Sequence, residues 1–179
     1  MKIHKLLIVV AASLSFAYAG GLTLYSNDLG AQLSQTQEAS TFGCSGDNVS
    51  PQLHWENAPK GTKSFAVTMY DPDAPTGSGW WHWVVFNIPS SVKALPSDFG
   101  NITKAQTIKA VQSITDFGKP GFGGACPPKG DKAHRYVVTL YALDVETLPL
   151  DVSTMPAHVG FMLNAHALQK ATLVSYYQR

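Results

Sequence analysis

Three stretches of this chain read with a two-residue period. Ser64 to Tyr70 places Phe65, Val67 and Met69 on one face and Ala66, Thr68 and Tyr70 on the other. Trp80 to Ile88 sets His82, Val84, Phe86 and Ile88 against Trp81, Trp83, Val85 and Asn87. Arg135 to Leu143 sets Tyr136, Val138, Leu140 and Ala142 against Val137, Thr139, Tyr141 and Leu143. Alternation of this kind belongs to strands. Weaker signals predict strands at Leu22, Leu24 and Leu29, at Leu53 and Trp55, and from Leu173 to Tyr177. One segment reads as a helix. Ser153 or Thr154 can cap it, Pro156 sits just inside its start, and Val159, Met162, Leu163, His166 and Gln169 share roughly one face. Strands dominate and no β-α-β alternation occurs, so a mainly β, mostly antiparallel fold with few helices is expected.

The N-terminus reads differently. Lys2 and Lys5 make a basic start, Leu6 to Phe16 is apolar, and Ala17-Tyr18-Ala19 is a small-x-small cleavage pattern. That is the layout of a secretory signal peptide over residues 1–19, leaving 20–179 as one domain. The apolar run is too short for a bilayer anchor. Cleavage after Ala19 leaves 11 Lys and Arg against 12 Asp and Glu. A chain so near neutrality has no electrostatic case for nucleic-acid binding. Periplasmic or secreted localisation also bears on Cys44 and Cys126, the two cysteines of the chain. In an oxidising compartment they read as one disulfide, the alternative being two separate buried thiols.

The chemistry concentrates around Asp71-Pro72-Asp73-Ala74-Pro75, followed closely by Trp80-Trp81-His82-Trp83. Two carboxylates between two prolines sit on stiff backbone. His82 follows near a strand end, and His134 opens the third strong strand. Imidazole N–H groups donate to anions, and a carboxylate orients an imidazole or receives an ammonium group. Together they suit a phosphate-bearing or zwitterionic ligand. No His-x-x-x-His pair occurs, so no metal is expected. His54, His158 and His166 read as packing or helix-end residues. Between Pro89 and Lys132 the chain is rich in Gly and Pro, and a loop of that length in a compact domain is usually functional. The stretch Gly118 to Gly130 must wrap closely over something. Asp116-Phe117-Gly118 and His134-Arg135 imitate kinase motifs, but in reversed order and in too short a chain. No Gly-x-Ser-x-Gly elbow is present.

Taken together these pieces resemble the phosphatidylethanolamine-binding protein family, in its bacterial Raf-kinase-inhibitor-like branch. The resemblance rests on Asn48-Val49-Ser50-Pro51 with Trp55, Gly61 to Val67, Asp71 to Pro75 and Trp80 to Asn87. It continues through Asp116-Phe117-Gly118, Cys126 to Gly130 and His134-Arg135-Tyr136. It implies a large central antiparallel sheet packed on a smaller one, with a few peripheral helices. It also implies a small surface pocket for phosphate-like or phosphoethanolamine-like groups, with ligand positions at Asp71, Trp80, His82, Pro127 and His134. Asp73, Pro75, Tyr136 and Tyr177 would support the loop and rim. A binding or inhibitory module without a cofactor is the function implied, and a protein target and a homodimer are the partners left open. The alternative is a small hydrolase or phosphoester-processing enzyme using the same Asp/His pocket. The long C-terminal helix of mammalian members has no counterpart after Tyr177, so kinase inhibition does not carry over with the resemblance.

Overall fold

The computed structural model describes residues 20–179; the expected signal peptide, residues 1–19, lies outside the described residues. Two antiparallel sheets pack face to face. The small one runs β1 (Thr23–Tyr25), β2 (Leu53–Glu56), β5 (Ala94–Leu95). The large one runs β6 (Val111–Gln112), β4 (Trp80–Pro89), β3 (Ser64–Asp71), β7 (His134–Leu143), β8 (Ala167–Tyr177). Every pairing between these strands is antiparallel. The mainly β expectation holds, including the large and small sheets. No helix among the described residues is long and apolar enough to cross a membrane.

The main core fills the space between the sheets. Leu24, Leu53, Trp55 and Leu95 of the small sheet meet Phe65, Val67, Met69, Trp83, Val85, Val138 and Leu140 of the large one. The other face of the large sheet buries Ala66, Val84, Phe86 and Tyr141 beneath Val159 and Leu163 of the helix α1 (Pro156–His166). A central sheet covered on both faces explains why its strands carry apolar residues on both sides.

Strand β4 does not keep the simple alternation expected for it. Met69 and Tyr70 of β3 stand opposite Trp83 and Trp81, so His82 is an extra residue, a β-bulge. The bulge brings His82 to the side of the sheet that holds Trp83, where its ring meets Tyr136 at 5.1 Å between centroids. A second irregularity lies between Val85 and Ile88. Asn87 takes φ 58° there, and its side-chain amide both donates to Leu148 O and accepts from Leu148 N. The faces of β4 are therefore Trp83, Val85 and Ile88 against Val84 and Phe86, with His82 aligned to the first set.

The helix also departs from expectation in two ways. Its N-cap is Met155, with no side-chain cap. The hydroxyls of Ser153 and Thr154 donate instead to Asp151 Oδ1, at 2.7 and 3.3 Å. Pro156 at the first helical position lacks an N–H and already holds a helical φ, which lessens the need for a cap. The helix ends at His166 and passes directly into β8, so Gln169 is a strand residue. Strand β8 is accordingly 11 residues long, beginning at Ala167 rather than near Leu173. His166 bonds Asp144 through Nδ1 at 3.0 Å, a helix-end role. His54 stacks on Tyr25 on the small sheet, and His158 is exposed rather than packed.

Candidate ligand-binding site

In an antiparallel sheet, the end of one strand lies beside the start of its neighbours. Strand β3 therefore delivers Asp71 to the edge from which β4 sets out with Trp80 and His82 and β7 with His134 and Tyr136. Asp71 continues the inward-facing series Phe65, Val67, Met69. His134 begins the inward-facing series Tyr136, Val138, Leu140. The bulge turns His82 to the same side. These three side chains, far apart in sequence, line one cavity of about 190 Å³ together with Trp80, Tyr136 and Pro127.

All five expected ligand positions, Asp71, Trp80, His82, Pro127 and His134, are in its wall, with Pro75 and Tyr136. Asp73 stands behind it. Its carboxylate accepts from the backbone N, Nε and Nη2 of Arg135 at 2.8 to 3.0 Å and from Lys132 Nζ, pinning the Asp-Pro loop to the start of β7. The Arg135 guanidinium holds the Asp73 carboxyl well below the usual carboxylate range. Tyr177 is placed differently from expectation: its side chain is not in the cavity wall. It pairs across the sheet with His134, and its hydroxyl donates to Glu38 Oε2 at 2.6 Å. Burial and that bond push the phenol up to about 12.

The buried groups are tightly specified. Asp71 Oδ1 accepts from the backbone N–H of Asp73 and of Ala74, at 2.8 and 3.1 Å. These bonds shape the turn that the prolines stiffen. Asp71 Oδ2 meets His134 Nδ1 at 2.8 Å, and His134 Nε2 meets Asp131 Oδ2 at 3.1 Å. Two carboxylates on one ring require both nitrogens to donate, which only the imidazolium does. Burial opposes that charge, but the two carboxylates outweigh it and raise the His134 pKa above that of an ordinary imidazole. His82 is the reverse case. Its Nδ1 lies 2.8 Å from Gly123 O and 3.1 Å from Gly124 O, and carbonyls only accept. Nδ1 therefore carries the proton. Burial disfavours a second one and lowers the pKa of His82, which is 3% exposed. Its Nε2 has no bonding partner among the described residues. Tyr136, 1% exposed, has a buried hydroxyl that makes no well-formed hydrogen bond, although Asp71 and the Cys126 backbone lie near it, and burial followed by the Asp71 charge raises its pKa.

Several site residues escape a reading of the sequence. Asp131 stands three residues before His134 in a Lys-rich loop that carries no periodic signal. Phe117 packs edge-on against both Trp80 and His82, and Phe42, 69% exposed, lies 5.7 Å from it at the cavity mouth. Asn48 supports the loop that holds His82. Its amide donates to Phe122 O and accepts from Gly124 N at 2.8 Å. Asn48 matches a glycosylation pattern, but its side chain is committed inward. The Gly123-Gly124 pair is required by space: a Cβ on Gly123 would overlap the Phe117 ring, and one on Gly124 would overlap the backbone at Gln37. Cys44 and Cys126 form a disulfide, which anchors this loop beside the cavity.

Comparison with known proteins supports the fold. The family model described as phosphatidylethanolamine-binding protein matches residues 26–178. The UPF0098 protein YbcL of Escherichia coli is 51% identical over 97% of this chain and 98% of its own length. The UPF0098 protein YbhB of the same organism is 48% identical over 87% of this chain and 99% of its own. The crystal structure of YbcL superposes with a TM-score of 0.85, covering 89% of this chain and 99% of that one. A homologue from Chlamydia trachomatis, 28% identical, superposes with a TM-score of 0.73, covering 89% and 98%. On the match across nearly all of the described residues, the chain belongs to the phosphatidylethanolamine-binding protein family.

Proposed function

We propose that this protein is an exported binding module whose cavity takes a small phosphate-bearing or phosphoethanolamine-like ligand, and that it acts on a protein partner rather than by turnover. The observation that carries this reading is the Tyr136 hydroxyl, buried without a hydrogen-bond partner in the cavity wall, where Asp71 and His134 are held in fixed bonds. A buried hydroxyl without a partner costs about 1 to 3 kcal/mol, and a ligand oxygen placed there removes that cost. Trp80 adds an aromatic face for an ammonium group or an apolar stem. Binding is favoured over hydrolysis by the bonding of Thr76, a residue of the cavity wall. Its hydroxyl donates to Gly79 O, so it is not paired with an imidazole base. The disulfide supports export, since such bonds persist in oxidising compartments.

Calorimetric titration with O-phosphoethanolamine tests the reading. Saturable binding without release of inorganic phosphate is expected, with Tyr136→Phe binding several-fold more weakly while unfolding at an equal or higher denaturant concentration. Steady phosphate release, or no binding by the intact protein, rejects it.

A further inference from the structure

The cavity carries an imbalance that a simple anion does not match. Among the described residues no lysine and no arginine lines it. Lys132 and Arg135 are directed to Asp73, behind it. Among the described residues the one cation in the wall is the His134 imidazolium, and both of its N–H groups are taken by Asp71 and Asp131. Those three groups together carry one net negative charge. The polar side-chain atoms left for a ligand include the Tyr136 hydroxyl, which donates, and His82 Nε2. Because Nδ1 is the proton-bearing nitrogen toward Gly123 O and Gly124 O, Nε2 presents a lone pair. The groups facing His82 are Asp71 from β3, His134 and Tyr136 from β7, and Asp116 from the loop ahead of Phe117. Both carboxylates repel a dianion.

Resting on the proposed binding function, we infer that the site selects the singly protonated form of a phosphate monoester, whose P–O–H donates to His82 Nε2 while a second oxygen accepts from the Tyr136 hydroxyl. Transfer of that proton to Nε2 gives an imidazolium beside a dianion, with the same number of protons bound. In either form the complex holds one proton more than the free protein and the free dianion. A phosphate diester, which is what an intact phospholipid headgroup is, has no such proton to give. Inorganic phosphate and a soluble monoester share the required chemistry.

The test is titration calorimetry on the mature protein with O-phosphoethanolamine, inorganic phosphate, glycerophosphoethanolamine and sulfate between pH 5.5 and 8.5. Buffers of unlike protonation enthalpy are used at each pH. The second ionisation of a phosphate monoester lies near pH ~6. Above it the affinity for phosphoethanolamine is expected to fall about tenfold per pH unit, with about one proton taken up per ligand bound. The diester and sulfate are expected to bind at least about tenfold more weakly at pH 6, without proton uptake, and vesicles of phosphatidylethanolamine are expected not to bind. His82→Asn retains an amide to donate toward Gly123 O but has no second ring nitrogen, and is expected to lose the pH slope. Should that variant misfold, the monoester and diester arms on the native protein decide. Affinity independent of pH, or equal binding of monoester and diester through the shared ammonium group, overturns the inference and leaves the binding function standing. Failure of every phosphate to bind at any pH removes both.

Discussion

His82 and His134 share one cavity and hold opposite protonation states, because one ring meets carbonyls and the other meets carboxylates. Each leaves its own mark on stability. The pKa of His134 is raised in the folded state, so its contribution is present below the unfolded imidazole value, about 6.5, and is lost as pH rises through the higher folded value. The pKa of His82 is lowered in the folded state. Between that value and about 6.5 the unfolded chain binds more protons, so stability falls with acid. Urea midpoints measured from pH 5 to 9 are expected to decline on both sides of a maximum. His134→Asn should flatten the alkaline side, and His82→Asn the acid side. A parallel shift of the whole curve in either variant contradicts these assignments. That Asp71, His82 and His134 meet was legible in the residue types and the family resemblance. Which nitrogen each ring presents was not, because it depends on Gly123 O, Gly124 O and Asp131, contributed by a loop without periodicity.

At the scale of elements, the irregular stretch from Phe117 to Asp131 matters as much as the strands. It supplies two aromatic contacts, two carbonyls and a carboxylate to the site, and is tied down by Asn48 and the disulfide. Asn48→Ala removes two bonds to it, at Phe122 O and Gly124 N. A loss of about 1 to 3 kcal/mol is expected from denaturant titration, with weaker phosphoethanolamine binding. Asn48→Asp keeps the acceptor for Gly124 N and should recover part of both. The bond between Cys44 and Cys126 closes a segment of 82 residues. Its loss in Cys44→Ser/Cys126→Ser should cost on the order of 4 kcal/mol by the chain-entropy model. Guanidinium titration of the native protein with and without reductant checks this, and equal midpoints count against it. Gly79 performs a related service in the Asp-Pro loop. It takes φ 69°, and a Cβ there would press on the Tyr70 ring and on Asp71 O at 2.7 Å.

For the whole molecule, the two-sheet arrangement turns one edge of the large sheet into a cavity by placing strand ends of opposite direction side by side. Net charge contributes little, so ligand selection falls to aimed hydrogen bonds rather than to a long-range field. Export belongs at this scale too. N-terminal sequencing of the protein from a periplasmic or secreted fraction is expected to begin at Gly20. A chain retained inside the cell with Met1 intact excludes the proposed leader cleavage.

Period-two alternation declares the central strands, because a strand must present alternate residues to each covering layer. Composition likewise declares the near-neutral charge, and the motif series declares the family. Interruptions of the pattern were not declared by the local sequence. Nothing in Trp81-His82-Trp83 announces a bulge, since the extra residue exists only relative to the partner strand β3. Nor does Met155-Pro156 announce an uncapped helix, or Ala167 a strand that starts without a loop. The tertiary structure alone decided that His82 turns inward with a free lone pair, and that Tyr136 keeps an unpartnered hydroxyl. Both properties depend on groups more than 40 residues away along the chain, or on the absence of any, and a linear pattern encodes neither.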